Sequence, residues 1–422
     1  MWVQSGDTMA KTINSERFLR TLREQVRFGD TGDGGVSRTA LSVEDVAIRE
    51  WFRDMVKADN FEYRFDGAGN QSAIFRCGLP NAKTLLIGSH LDSVKNGGRF
   101  DGVLGVLAAY EVLLTLRDLK DRLPFDLEVI NFTDEEGSIL GLMGSSALSG
   151  VLSRDRLMNP RGGREALLAG MNRIGIHDES VLNAKRDPST LLGYVELHIE
   201  QGTRLERANR KIGVVSAIVG LTSYRLRFIG EAGHAGTTAM EGRKDAFQGA
   251  AVYSERARRL VIDRYAPGVV NFGILSVSPG MFNIIPGEVL LGMEFRHGVP
   301  AQFALMEREL LELASEVAQC YGLGLEYQIV EKASPALMSE RFMKATERAA
   351  EALDLSHTRL MSFAGHDAQT LSQCTEAVMV FIPSRDGISH NPREYSTDED
   401  CVNGANVILH TVLELAALER GV

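Results

Sequence analysis

Cysteine is scarce in this 422-residue chain: Cys77, Cys320, Cys374 and Cys401 stand far apart and form no C-x-x-C pair. That supplies neither a disulfide framework nor a zinc-finger spacing, so free thiols in a reducing cytoplasm are expected. No run approaches the roughly 18 uninterrupted apolar residues of a membrane helix. The opening MWVQSGDTMAKTINSERF lacks a basic stretch leading into an apolar one, and no secretory leader is expected. Positive charge is also in deficit, with 46 Lys plus Arg against 56 Asp plus Glu. A net charge of −10 without a long basic run argues against nucleic acid as a partner. There is no internal repeat and no low-complexity tract.

Apolar residues, by contrast, make up 44% of the chain, enough for a large core and too many for bulk disorder. The length suits two or three domains. KTLLIGSH (Lys83 to His90) reads as a buried strand, Gly102 to Asp118 as a helix, and DLEVINFTDEEG (Asp126 to Gly137) as a second buried strand. Strand, helix, strand at this spacing is the βαβ pattern of a mostly parallel sheet, whose chemistry lies beyond the strands' carboxyl ends. Ile212 to Ile229 reads as one strand, Arg243 to Leu260 and Gln302 to Gln319 as helices, and Gly268 to Val277, Glu288 to His297 and Leu323 to Val330 as strands. The expected architecture is α/β: a catalytic domain from residues 1–212 and 331–422, with a smaller α+β domain, residues 213–330, inserted. Residues 152–191 read only as short helices and loops.

Five clusters bear chemistry. GSHLDSVKNGGRFDG holds His90, Asp92 and Asp101; FTDEEGS holds Asp134, Glu135 and Glu136; YVELHIEQG holds Glu196, His198 and Glu200; GEAGHAGTT holds His234; and PSRDGISHNPREYS holds His390. Each alone has an ordinary explanation, such as solvated loop acids or a satisfied core histidine at His198. Together His90, Asp101, Glu136, His198 and His390 supply three imidazoles and two carboxylates from separate strand ends. That set suits two adjacent divalent cations sharing one carboxylate. Beside a bound cation, one of the paired acids at 135 and 136 can ligate while its neighbour takes a proton from water.

With these motifs in this order, the chain resembles the zinc-dependent amidohydrolases that include N-carbamoyl-L-amino acid hydrolase, β-ureidopropionase and allantoate amidohydrolase, relatives of the dinuclear aminoacylases and carboxypeptidase-like metallopeptidases. The resemblance runs from about Phe18 to Leu418 and includes AGHDA and GISHNPREY. It implies a dinuclear site in which His90 and His198 bind one metal, Glu136 and His390 the other, and Asp101 bridges. It makes Glu135 the general base and has Asp92 orient His90. It implies substrate contacts from His234, Asn283 and Arg296 on the inserted domain, and from Gln201, Gly365 and His366. Two divalent ions per subunit follow, zinc first, with manganese, cobalt or nickel as alternatives. It also implies a homodimer through the inserted lid domain, whose His234 and Asn283 reach the neighbouring subunit's metals, and a carboxylate-bearing ureido or carbamoyl substrate. An ion pair within the sheet remains the bland reading of Arg296. Rival functions are an aminoacylase or dipeptidase and, more remotely, a binding protein without catalysis.

Three departures stand out. ILGLMGSSALSG after DEEGS is shorter than expected, Ala239 replaces a usual Pro, and Asp134 stands where Asn is common. The last is expected to add negative charge beside the metals.

Overall fold

The computed structural model describes residues 11–421; residues 1–10, where most of the stretch read for a leader falls, and residue 422 lie outside the described residues. Two compact units emerge. The larger comprises the chain up to Ser216, Met338–Leu360 and everything from Ala364 onward; the smaller comprises Ala217–Leu337 and Met361–Phe363.

The larger unit begins its sheet with β1 (Glu62–Phe65), β2 (Gln71–Phe75), β3 (Thr84–His90), β4 (Asp126–Phe132) and β5 (Leu191–Ile199). β6 (Ile212–Ile218) leads into β7 (Gly220–Ile229), β8 (Val269–Ser278), β9 (Glu288–His297) and β10 (Gly324–Ala333). β11 (Ala336–Leu337), β12 (His357–Ser362) and β13 (Ala377–Ile382) complete the set. The large sheet runs β1-β2-β4-β3-β5-β13-β6-β11, with β12 beside β6. Its central strands β4, β3, β5 and β13 are parallel, and antiparallel pairs flank them. β4, β5 and β13 are buried along their whole length, and all three are rich in apolar residues, β13 without a break. The crossover helix Val103–Asp118 is buried from Val103 to Leu116. It lies so close to the sheet that a Cβ on Gly105 would sit 2.4 Å from the Leu197 carbonyl oxygen.

The final helix, Asp398–Glu419, is long and apolar enough to cross a bilayer by composition, but 61% of its most apolar window is buried within the fold. It serves as a core helix. Residues 152–191 form short helices whose Leu157, Leu167 and Met171 join Leu41, Ala68, Ile139 and Met143 in one apolar cluster. All four cysteines are free.

The smaller unit is an antiparallel sheet in the order β10-β7-β9-β8. β9 alternates in burial, sending Val289, Leu291, Met293 and Phe295 inward against Tyr253, Met306 and Leu310 of helices Ala246–Arg264 and Pro300–Cys320. Asp245 caps the first helix by accepting from the N–H groups of Phe247 and Gln248, and Pro300 starts the second. The single strand expected from Ile212 to Ile229 is in fact two. At Val219 the chain leaves one sheet for the other, its N–H donating to the Ser362 carbonyl, and Gly220 sits against Pro335 with no room for a Cβ. Strand-forming residues on both sides of that break hid it.

Candidate metal centre

Parallel pairing puts the carboxyl ends of β3, β4, β5 and β13 along one edge of the larger unit. His90 is the last residue of β3; Asp134, Glu135 and Glu136 follow β4. His198 is the penultimate residue of β5, and His390 stands in the loop after β13. Asp101 precedes Gly102, whose φ of 67° opens the crossover helix. A Cβ on Gly102 would lie 2.3 Å from the His90 ring, so glycine alone fits there.

Asp101 is the hub. Its Oδ1 lies 2.9 Å from His198 Nε2 and 3.9 Å from His90 Nε2. Its Oδ2 lies 3.2 Å from His390 Nε2, which is in turn 3.3 Å from Glu136 Oε2. The donors thus fall into two groups, His90–Asp101–His198 and Asp101–Glu136–His390, that share one carboxylate. Glu135 Oε2 is 3.5 Å from His90 Nε2. The other ring nitrogens are occupied: His90 Nδ1 donates to the Asp92 carbonyl at 3.0 Å and His198 Nδ1 to the Ile199 carbonyl at 2.9 Å. Those bonds place a proton on Nδ1 of each ring and turn both Nε2 atoms toward the carboxylates. The Asp92 carboxylate, 3.6 Å from His90 Nδ1, instead accepts from the backbone N–H groups of Glu135 and Glu136, both at 3.3 Å. Asp92 therefore ties the end of β3 to the paired acids.

Electrostatics fit a cation. Burial drives His90 down to about 4, whereas at His198 burial is overcome by Asp101, which raises it to about 9. Burial and neighbouring acids, Asp367 for Glu135 and Asp101 for Glu136, hold both glutamates well above the usual carboxylate range. Glu136 Oε1 is buried without a hydrogen-bond partner among the described residues. A divalent ion bound by these oxygens and nitrogens would satisfy that atom and stabilise the ionised acids.

Gln201, with φ 54°, donates its amide to Asp101 Oδ2 at 2.8 Å and to Ser389 Oγ at 3.1 Å. His366 is buried, its ring centroid 4.5 Å from that of His198, and burial holds it well below its ordinary value; Gly365 beside it is exposed. Asp134 is turned into its own loop, where its carboxylate accepts from the N–H groups of Ile139, Leu140 and Gly141.

His234, Asn283 and Arg296 belong to the smaller unit. The His234 loop pairs with the Asn283 loop through the Ala235 N–H on the Asn283 carbonyl. His234 Nδ1 accepts from Gly236 and Thr237 N–H, so Nε2 carries the proton and is a donor. Arg296 is engaged: Nε and Nη2 hold Glu294 at 2.9 and 2.8 Å, and Nη1 donates to the Phe363 carbonyl at 2.6 Å.

Sequence reasoning missed several supports. Buried Arg38 donates to the Leu91 carbonyl between His90 and Asp92, and burial lowers its pKa to about 10. Arg161 donates to the Gly137 and Glu136 carbonyls, and Arg156 to the Gly141 carbonyl, fastening the loop after Glu136. Glu394 was legible only as part of GISHNPREY. None of these gives a periodic signal, because each meets at least one backbone group distant in sequence.

Comparisons with known proteins give the chain a family. The sequence pattern of peptidase family M20/M25/M40 matches residues 86–414. The N-carbamoyl-L-amino acid amidohydrolase of Geobacillus stearothermophilus is 36% identical over 411 residues, 96% of this chain and 99% of that protein. The ureidoglycolate hydrolase of Oryza sativa subsp. japonica is 30% identical over 98% of this chain and 87% of its own length. The crystal structure of an amidase of the hydantoinase/carbamoylase family from Burkholderia multivorans superposes with a TM-score of 0.87 at 32% identity, over 96% of this chain and 98% of that one.

Proposed function

The chain belongs to peptidase family M20/M25/M40, and we propose that it hydrolyses linear C–N bonds other than peptide bonds, converting an N-carbamoyl-L-amino acid or another ureido acid to the amino acid, carbon dioxide and ammonia. The observation that carries this reading is the divided carboxylate of Asp101, whose oxygens face His198 and His390 separately. In the proposed centre His90 and His198 hold one divalent ion, Glu136 and His390 the other, and Asp101 joins them. Zinc is the first choice, with manganese, cobalt or nickel as alternatives. Such ions supply a polarised carbonyl and a water acidified to a pKa of about 7.

Glu135 takes the proton of the attacking water and delivers it to the leaving nitrogen. Asp92 keeps His90 and the paired acids in register. His234, a donor through Nε2, and Asn283 stabilise the developing oxyanion. Arg296 grips the substrate carboxylate in competition with Glu294, and Gln201, Gly365 and His366 border the substrate. We further assign a homodimer through the smaller unit, with His234 and Asn283 acting on the partner's centre. Supporting it, β8 is an edge strand with Val269, Ile274 and Leu275 exposed. The free thiols support a reducing cytoplasm.

The test is ammonia release from N-carbamoyl amino acids, β-ureidopropionate, ureidoglycolate and allantoate, with metal content measured on the same sample. Turnover of ureidoglycolate or allantoate alone would favour the ureido-acid branch, which the rice relative represents. Cleavage of N-acyl amino acids or dipeptides without ammonia would replace this reading with an aminoacylase or dipeptidase.

A further inference from the structure

Glu394 is almost wholly buried, 2% exposed, and both of its carboxylate oxygens are in use. Oε1 accepts from the backbone N–H groups of Phe100 at 3.0 Å and Asp101 at 3.1 Å. Oε2 accepts from Ser389 Oγ at 2.8 Å. One side chain therefore fastens the backbone of Asp101 to the residue that precedes His390. Ser389 also accepts from the Gln201 amide, which in turn donates to Asp101 Oδ2. The loop before Asp101 is shaped around this carboxylate: a Cβ on Gly98 would lie 1.9 Å from its carboxyl carbon.

We infer that Glu394 is a positioning residue, which locks the Asp101 loop to the His390 loop and so sets the separation of the two donor groups that share Asp101. The physical reason is that Asp101 must present its two oxygens in different directions at fixed spacing, while its own loop is rich in glycine and has little stiffness. Two backbone N–H groups fixed on a buried carboxylate remove that freedom. Groups that orient a ligand in this way typically account for 10- to 100-fold in metal affinity. The inference rests on the reading of Asp101 and His390 as ligands in the proposed function.

The experiment is a calorimetric titration of metal-free protein with Mn²⁺, together with the melting temperature of each metal-free variant. Wild type is expected to bind two Mn²⁺ per chain. Glu394→Ala should lose about 10- to 100-fold in affinity at both sites, because both share Asp101. Glu394→Gln should restore most of it, since its amide oxygen still accepts from both N–H groups and its NH₂ can meet Ser389 Oγ. Gly98→Ala keeps Glu394 but evicts the carboxylate, and should repeat the loss; it carries the test if Glu394→Ala does not fold. Undiminished Mn²⁺ affinity in a folded Glu394→Ala or Gly98→Ala protein, with only the metal-free melting temperature lowered, would reduce Glu394 to a structural role and overturn the inference. Equal losses in Glu394→Gln and Glu394→Ala would overturn the hydrogen-bond account. Wild type that takes up no Mn²⁺ would instead defeat the metal-centre reading itself.

Discussion

Adjacent residues in the DEEG turn face different groups, and substitution tests whether their proposed roles are separate. Glu135 reaches His90 Nε2, whereas Glu136 reaches His390. Glu135→Gln is expected to keep metal and fold while turnover falls by about 10²–10⁴-fold; near-wild-type turnover in the metal-loaded variant would remove it as the base. Asp134 behaves differently. It is expected to add charge beside the metals; its carboxylate accepts from three N–H groups of its own loop, and its charge also raises the pKa of Asp92. Its φ of 52° suits Asn as well as Asp. In Asp134→Asn the amide oxygen can keep Leu140 and Gly141 while the NH₂ faces the Ile139 N–H. The expected cost is about 1–2 kcal/mol in denaturant unfolding with little change in kcat. Arg296 is the residue where the bland reading and the functional one coexist. Arg296→Ala should raise KM for carboxylate substrates well beyond its effect on neutral ureides, and equal effects would leave Arg296 only its ion pair with Glu294.

At the scale of elements, β3 shows what a sequence can and cannot disclose. Its apolar run ending in Gly-Ser-His announced a buried strand with a histidine at its mouth, and the crossover helix and β4 were legible by the same logic. Such elements owe their form to burial, which writes itself into composition. Residues 152–191 were opaque because their order comes from Arg156 and Arg161 binding carbonyls of the loop after Glu136 and from an apolar cluster shared with Leu41, Ala68 and Met143, distant in sequence. The break between β6 and β7 was invisible because β6, buried almost throughout, and β7, alternating, are both rich in strand-forming residues and no turn signal other than Gly220 parts them. β3 also contains a constraint that only coordinates reveal. Gly88 faces β4 so closely that an added Cβ would sit 2.0 Å from the Ile130 carbonyl oxygen, which belongs to strand backbone and cannot yield. Gly88→Ala is therefore expected to cost about 3 kcal/mol or more, measured by chemical denaturation. A loss below about 1 kcal/mol would mean that β3 and β4 can part locally without disturbing the sheet.

For the molecule as a whole, the centre concentrates acid in a chain that is already negative. Asp92, Asp101, Glu196 and Asp367 are all buried in the larger unit, near the paired glutamates. Without metal, burial and mutual repulsion hold Glu135 and Glu136 above their ordinary values, so the folded protein binds protons there that the unfolded chain has released. The contribution of these two glutamates to the stability of the metal-free protein therefore declines as pH rises through their folded-state range, because there the folded state has more protons to lose. His198, raised by Asp101 to about 9, has the same sign. A bound divalent ion replaces these protons, so its binding is coupled to their release and strengthens as pH rises. Thermal unfolding should therefore show a larger Mn²⁺-induced rise in melting temperature in mildly alkaline buffer than in mildly acidic buffer, with a chelator abolishing the rise in both. The same increment at both pH values would mean that metal uptake displaces no protons, and the buried acids and imidazoles of this cleft would then not be its ligands.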